Sequence, residues 1–221
     1  MIRIDKFRCW AVLGFIFPAF FSVNIPASKA SPSLNIPVQV TSNPGEDFAP
    51  SVSTDGKVMV YVSDKSGNLD LWIKRLGPGI QPPDRRLTFH SSEDSSPEIS
   101  PDGKRVVFVS HRSDPRGDIY ILDLSAKEGE GLKPVIQGPG EESDPVWSLN
   151  QKAIYFSSRS SSISQPAIEK IELEGAKRTE LLKQGGVNLS LSPDGKFLAF
   201  VTGEGDLKVY NLESTSTHAL T

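Results

Sequence analysis

The sequence predicts an all-β chain assembled from four copies of one small four-stranded unit. Three observations predict it. One phrase recurs, as Ser53-Thr54-Asp55-Gly56-Lys57, Ser100-Pro101-Asp102-Gly103-Lys104 and Ser192-Pro193-Asp194-Gly195-Lys196, with a worn copy at Ser148-Leu149-Asn150-Gln151-Lys152. The leading serines lie 44 to 48 residues apart. Each copy is followed by two apolar runs rich in β-branched and aromatic residues, and 17 Pro and 18 Gly in 221 residues punctuate the chain too densely for a long amphipathic helix. A β repeat of this period fits propeller blades of about 40–50 residues. The expected fold is a β-propeller of about four four-stranded blades, spanning roughly 44–90, 91–138, 139–184 and 185–221.

Each strand has its own justification. First strands are expected near Phe48–Val52, Ser95–Ile99, Asp144–Trp147 and Val187–Leu191, just before the recurring phrase. In the first three, a proline (Pro50, Pro97, Pro145) stands three residues before the serine. The phrase itself is a turn, because glycine takes positive φ without steric cost and Asp-Gly favours tight connections. Second strands follow it: Val58–Val62, Val106–Val109, Ala153–Phe156 and Phe197–Val201. Third strands follow at Leu69–Ile73, Asp118–Leu122, Ile168–Leu173 and Leu207–Leu212, and a short fourth strand such as Arg86-Leu87-Thr88 completes each unit. Runs of this length between Gly, Asp and Ser clusters read as strands. Their aromatics (Tyr61, Phe108, Tyr155, Phe156, Phe200, Trp72, Tyr120, Tyr210) are expected to pack blades together.

The first 30 residues read as a secretory signal, not as part of the fold. Met1–Arg8 is basic, Trp10–Val23 is apolar, and Ser28-Lys29-Ala30 offers small residues for cleavage. An uncleaved membrane anchor is the alternative, although the apolar run is shorter than the ~20 residues a spanning helix needs. Cleavage after Ala30 removes Cys9, the one cysteine, so neither disulfide nor thiolate chemistry remains. It also removes four of 24 basic residues and one of 27 acidic ones, leaving an acidic chain. Such a chain gains nothing from phosphate backbones, which argues against nucleic acid, and it suits neither anionic lipid nor stable membrane insertion. The expected location is periplasmic or secreted. Residues 31–43 form a polar lead in which Val38–Thr41 resembles a fourth strand able to close the ring. Blade four has its own fourth strand near His218–Thr221, so the array is either a four-blade ring or an open arc of a larger propeller, with self-association through a spare edge as one outcome.

Candidate site residues come from the loops on one face of the disc. The fourth-to-first connections carry Glu46-Asp47, Glu93-Asp94 and Glu141-Glu142. Just past the second strands come Lys65, Arg112 and Arg159. Blade four loses both features together: Gly185-Gly186 replaces the acids and Glu204 sits near the basic position. The joint loss predicts ion pairs within blades: Asp47 with Lys65, Asp94 with Arg112, Glu142 with Arg159. Acids outside the pairs (Glu46, Glu93, Glu141) would leave a negative rim that favours cationic partners.

Three segments taken together carry a family resemblance. Arg85-Arg86-Leu87-Thr88, the stretch from Ser95 to Ser110 containing Ser100-Pro101-Asp102-Gly103-Lys104, and Asp118-Ile119-Tyr120-Ile121-Leu122-Asp123-Leu124 closely resemble the TolB-type, WD40-like propeller repeat. The resemblance covers roughly residues 38–221. It implies a non-enzymatic, periplasmic, protein-binding propeller of the cell envelope, with a peptidoglycan-associated lipoprotein as the kind of partner. The chain departs from that family's plan in lacking the extra N-terminal α/β domain and in having fewer than six blades. The same repeat occurs in propeller domains of prolyl-oligopeptidase-type serine peptidases, but no Gly-x-Ser-x-Gly elbow is present. It also resembles the scaffold of propeller sugar-acid lyases, whose metal ligands would need a cluster that His90, His111 and His218, in separate repeats, do not offer. The Asp-Gly-Lys turns lack the acidic ladder of a calcium loop. No cofactor and no metal are expected.

Overall fold

The computed structural model describes residues 38–160 and 165–221. The expected signal segment and its cleavage site fall outside them. The described residues form four antiparallel sheets of four strands each, every sheet ordered as its strands run in sequence. Blade 1 comprises β1 (Asp47–Val52), β2 (Val58–Ser63), β3 (Asp70–Arg75) and β4 (Arg85–Arg86). Blade 2 comprises β5 (Asp94–Ile99), β6 (Arg105–Ser110), β7 (Asp118–Asp123) and β8 (Leu132–Ile136). Blade 3 comprises β9 (Glu141–Trp147), β10 (Ala153–Arg159), β11 (Ala167–Glu172) and β12 (Arg178–Leu182). Blade 4 comprises β13 (Val187–Leu191), β14 (Phe197–Val201), β15 (Leu207–Asn211) and β16 (Thr217–Ala219).

The recurring phrase is a turn with a fixed internal wiring. The Ser53 hydroxyl donates to Asp55 Oδ1 (2.7 Å) and accepts from the Val58 amide (3.0 Å), while Asp55 Oδ1 also accepts from the Lys57 amide (3.1 Å). Gly56 takes φ 69° and donates to the Ser53 carbonyl at 2.8 Å. Blades 2 and 4 repeat each bond around Asp102 and Asp194. In blade 3, Asn150 takes the aspartate's place with the same bonds and Gln151 adopts φ 59° where the others have glycine.

Each first strand is interrupted by a bulge at one shared position. The register slips between Phe48 and Ser51, between Ser95 and Glu98, opposite Tyr155–Ser157, and between Val187 and Ser190. The bulged residues Ala49, Ser96, Asp144 and Asn188 all have φ near +50°. In three of the four a proline follows, which costs no hydrogen bond because the ladder skips that residue. As edge strands of their sheets, the first strands also present backbone amides to the neighbouring blade. Ile99 N donates to Ser51 Oγ (2.9 Å), Trp147 N to Glu98 Oε2 (2.7 Å) and Asn188 N to Asp144 Oδ2 (3.0 Å).

Three apolar cores lie between blades. Val60, Val62 and Leu71 of blade 1 meet Val106, Phe108, Tyr120 and Leu122 of blade 2. Val107, Ile119 and Ile121 of blade 2 meet Trp147, Ile154 and Phe156 of blade 3. Tyr155 and Ile168 of blade 3 meet Leu189, Leu198, Phe200 and Tyr210 of blade 4. Each blade thus turns one set of alternating residues to its predecessor and the other to its successor. Among the described residues blades 1 and 4 do not touch, so the array is an open arc. Residues 38–42 carry no strand, contrary to the closing role expected of Val38–Thr41. Each sheet is completed by its own repeat: β16 occupies the ladder beside β15, and Val38 is exposed.

Candidate binding face

The fourth-to-first connections and the second-to-third hairpins share one face, tied blade to blade by backbone hydrogen bonds. Asp94 N donates to Leu69 O (2.9 Å), Glu142 N to Gly117 O (3.2 Å) and Gly185 N to Pro166 O (2.9 Å). The acids expected on this face are there, but they divide into three kinds. Glu46 and Glu93 are exposed, while Asp94 and Glu142 are buried; Asp47 and Glu141 are half-buried.

One expected pair forms. Arg112 Nη2 lies 3.2 and 3.1 Å from the two oxygens of the fully buried Asp94, and Arg112 Nε donates to Ser110 Oγ. The other two do not. Lys65 leaves Asp47 for an aromatic platform, with Nζ 3.7 Å from the Trp72 ring centroid and 5.2 Å from that of Tyr61. It donates to the Tyr61 hydroxyl (2.8 Å) and lies 3.5 Å from Asp84 Oδ2. Asp47 accepts from Asn43 Nδ2 instead. Lys65 thereby covers apolar surface with its stem and gains a cation–π contact besides an ion pair.

Arg159 pairs with Glu141 (3.4 Å), not Glu142, and Glu142 meets Arg178 Nη2 at 3.4 Å. The reason is register. Ser158, not Ser157, pairs with Glu142 as Ser110 pairs with Asp94. Arg159 therefore occupies the position of His111, one residue short of Arg112, and a one-residue slip sends a side chain to the opposite face.

Several residues that carry this face give weaker sequence signals. Asp70 and Asp118 open the third strands and are fully buried. Asp70 accepts from Arg86 Nη2 (2.6 Å) and Ser66 Oγ (2.5 Å). Burial raises its carboxyl despite those partners, helped by the nearby charge of Asp94. Recurrence of an aspartate before an apolar run (Asp70-Leu71-Trp72, Asp118-Ile119-Tyr120) was the available signal. Arg178 had none: it rises from a polar fourth strand to bond Ser158, Glu142 and Glu169, its guanidinium 5.0 Å from the Phe156 ring centroid. A cation over the second-strand aromatic therefore recurs in three blades, supplied by Lys65, Arg112 and Arg178. At Asp84, burial pushes the carboxyl up, but hydrogen bonds from Lys74 and Tyr61 outweigh it and hold the group below the usual aspartate value.

Among the described residues no three His, Cys, Asp or Glu side chains converge as a metal site. The three histidines stay apart, on the fourth-strand exit (His90), a hairpin (His111) and β16 (His218).

The fold defines a propeller-type array of four-stranded blades whose loops gather on one face. No protein-family model and no curated relative matches the sequence. Solved structures do match the fold. TolB from Acinetobacter baumannii superposes with a TM-score of 0.64 at 24% identity, over 80% of this chain and 43% of that one. A putative TolB from Agrobacterium tumefaciens gives 0.65 at 19%, over 81% and 63%. A puromycin-hydrolyzing peptidase from Mycobacterium tuberculosis gives 0.60 at 20%, over 80% and 31%. The chain thus has a TolB-like β-propeller fold and spans less than two thirds of the length of each of these proteins.

Proposed function

We propose that the chain is a non-enzymatic binding platform of the cell envelope, using its loop face to hold a basic segment of a partner protein. One observation carries this reading. The buried carboxylates Asp70, Asp94 and Glu142 are each met by a guanidinium, whereas Glu46 and Glu93 stand exposed on the same face. Fixed acidic groups on a rigid loop surface attract cationic partners and speed their encounter. The charged start, apolar run and small residues of 1–30 support export, as does the TolB-like fold, and a peptidoglycan-associated lipoprotein is the first partner to try. The test is calorimetric titration of residues 31–221 with that lipoprotein and with envelope proteins captured from periplasmic extract. The doubly charge-reversed variant Glu46→Lys/Glu93→Lys serves as control. Affinity should drop at least about tenfold in the variant and weaken with salt; binding unaffected by both would refute the reading.

The fold match to a peptidase favours a second reading, a propeller domain that serves a separate catalytic domain. Purified residues 31–221 that bind no envelope protein, but bind a serine-hydrolase domain added in trans, would favour it. Self-association follows from the open arc as a further proposal. Light scattering of residues 31–221 should give a mass above that of one chain at high concentration, and a monomer throughout would reject it.

A further inference from the structure

Two junctions of the arc bury a pair of acids at equivalent positions, and only one junction neutralises both. Between blades 1 and 2 the acids are Asp70 and Asp94. Between blades 2 and 3 they are Asp118 and Glu142. Asp118 pairs with Ser110 as Asp70 pairs with Ser63, and Glu142 pairs with Ser158 as Asp94 pairs with Ser110. In both junctions the second acid's amide donates to the carbonyl just before the first acid, Leu69 O in one and Gly117 O in the other. The carboxyl groups therefore spring from adjoining backbone in each case.

Their partners differ. Asp70 has Arg86 and Asp94 has Arg112, one guanidinium for each charge. In the second junction, Pro134 stands opposite Tyr120 where Arg86 stands opposite Trp72, and Ser160 occupies the position of Arg112. No side chain among the described residues donates to Asp118; its carboxyl is met by backbone only, with Gly138 N donating to Oδ1 at 3.1 Å. Glu142 Oε1 meets Arg178 at 3.4 Å, and that guanidinium is already held by Glu169. The remaining oxygens, Asp118 Oδ2 and Glu142 Oε2, are buried with no hydrogen-bond partner among the described residues. Gly140 is part of the arrangement, since a Cβ there would lie 2.6 Å from Glu142 Oε1.

Two buried carboxyls, one with no guanidinium and the other with a guanidinium it shares with Glu169, are not stable as two full charges, because an unpaired buried charge takes up a proton before it bears the desolvation cost. We propose that the Asp118–Glu142 pair holds a proton at neutral pH and loses it on alkalinisation, making the junction of blades 2 and 3 a pH-responsive seam. Other charged groups face the pair from each neighbouring element. Asp114 and Arg116 pair with each other on the β6–β7 hairpin at 2.9 Å, and His111 lies beside Gly117. Glu141 is engaged by Arg159 on β9–β10, and Glu169 by Arg178 on β11–β12. Each nearby cation thus has an acid of its own. Burial raises both carboxyls of the pair; the charge of Asp114 adds to the rise at Asp118, and that of Asp118 to the rise at Glu142.

The sign follows from linkage. A carboxyl raised in the folded state binds more protons there than in the unfolded chain. Stability is then retained at low pH and falls as pH rises from the ordinary carboxylate range through the raised values. The experiment compares thermal unfolding of residues 31–221 and of Asp118→Asn between about pH 5.5 and 8.5, where a melting temperature lower by about 3 °C or more at the alkaline end is expected of the parent. Asp118→Asn should lose most of that slope, with His111 common to both proteins. Pro134→Arg, which restores the guanidinium of the first junction, should flatten it as well. A parent without slope, or Asp118→Asn with the full slope, overturns the proposal. So does stabilisation at alkaline pH by millimolar calcium in the parent alone, which would make the ligand a metal ion. Should the variants not fold, carboxyl carbon titration by NMR decides on the parent: an Asp118 or Glu142 midpoint above the ordinary range upholds the proton, and two ordinary midpoints reject it.

Discussion

The two ends of the arc are finished differently. Val60, Val62 and Leu71 of blade 1 point at blade 2, so the alternate residues Tyr61, Trp72 and Lys74 point outward. That outward face carries a polar network. Tyr61 donates to Asp84 Oδ2 (2.6 Å), Lys74 donates to Asp84 Oδ1 (2.8 Å), and Lys65 lies over Trp72. In blade 4, Leu198, Phe200 and Tyr210 point at blade 3, so Phe197, Ala199, Val201 and Val209 point outward. These are all apolar, at positions matching Arg105, Val107, Val109 and Ile121 of blade 2, of which Val107 and Ile121 are buried in the core shared with blade 3 and Val109 is buried as well. One repeat can therefore close with a polar face or with an adhesive one, while its turns and ladders stay the same.

The largest expected effect tests which side of blade 4 is inward. Phe200 and Phe197 lie on the same strand with opposite faces, one 1% and the other 36% exposed. Phe200→Ala should cost about 3–5 kcal/mol by leaving a cavity in the core shared with blade 3. Phe197→Ala should cost under about 1 kcal/mol. Chemical denaturation of both variants checks it, and equal costs would break the distinction between the two faces.

A middle-sized effect belongs to blade 1. Asp84→Ala leaves the Tyr61 hydroxyl and two ammonium groups crowded around an absent acceptor. A loss of about 1–3 kcal/mol is expected at neutral pH, the range for removing one partner of a buried polar network. Asp84 is held below its usual value when folded, so its contribution is present above the ordinary aspartate range and lost as pH falls through the folded value. The difference between parent and variant should shrink on acidification. A difference independent of pH would mean that Asp84 acts by packing alone.

The strands and turns were legible because their causes are local. Asp-Gly between apolar runs dictates a turn whatever surrounds it, and the period then orders the blades. The ion pairs were legible only where the register repeats. Asp94–Arg112 followed from spacing, but Arg159 stands 11 residues after its blade's leading serine where Arg112 stands 12 after its own, so it falls one place short. Asp84 and Arg178 reach their partners from the fourth-strand side of the blade, and no linear spacing announces such a contact. The bulges were hidden differently. Pro50, Pro97 and Pro145 marked them in the sequence, yet a proline does not say that the residue before it turns left-handed. Val38–Thr41 failed as a strand because similarity of pattern to Leu87-Thr88 supplies no ladder to join.

The smallest effect asks whether the ends differ at all where the repeat is intact. Asp55 and Asp194 occupy the same turn in blades 1 and 4, each accepting from its serine and from the amide two residues on. Those bonds, the serine's first, hold both carboxyls below the usual value. Each therefore stabilises the fold above the ordinary aspartate range and loses that contribution as pH falls through its folded value. Blade 3 already shows the neutral version, since Asn150 accepts the same two bonds. Asp55→Asn and Asp194→Asn should each lower the melting temperature by under about 2 °C at neutral pH, and by the same amount. Asp→Ala at either position, which removes the acceptor altogether, should cost more than Asp→Asn. The turn is a closed local circuit, so it cannot register whether its blade ends the arc in polar or apolar residues. Unequal losses at the two positions would mean that the outward faces reach the turns, and that the ends of the arc differ in more than their exposed side chains.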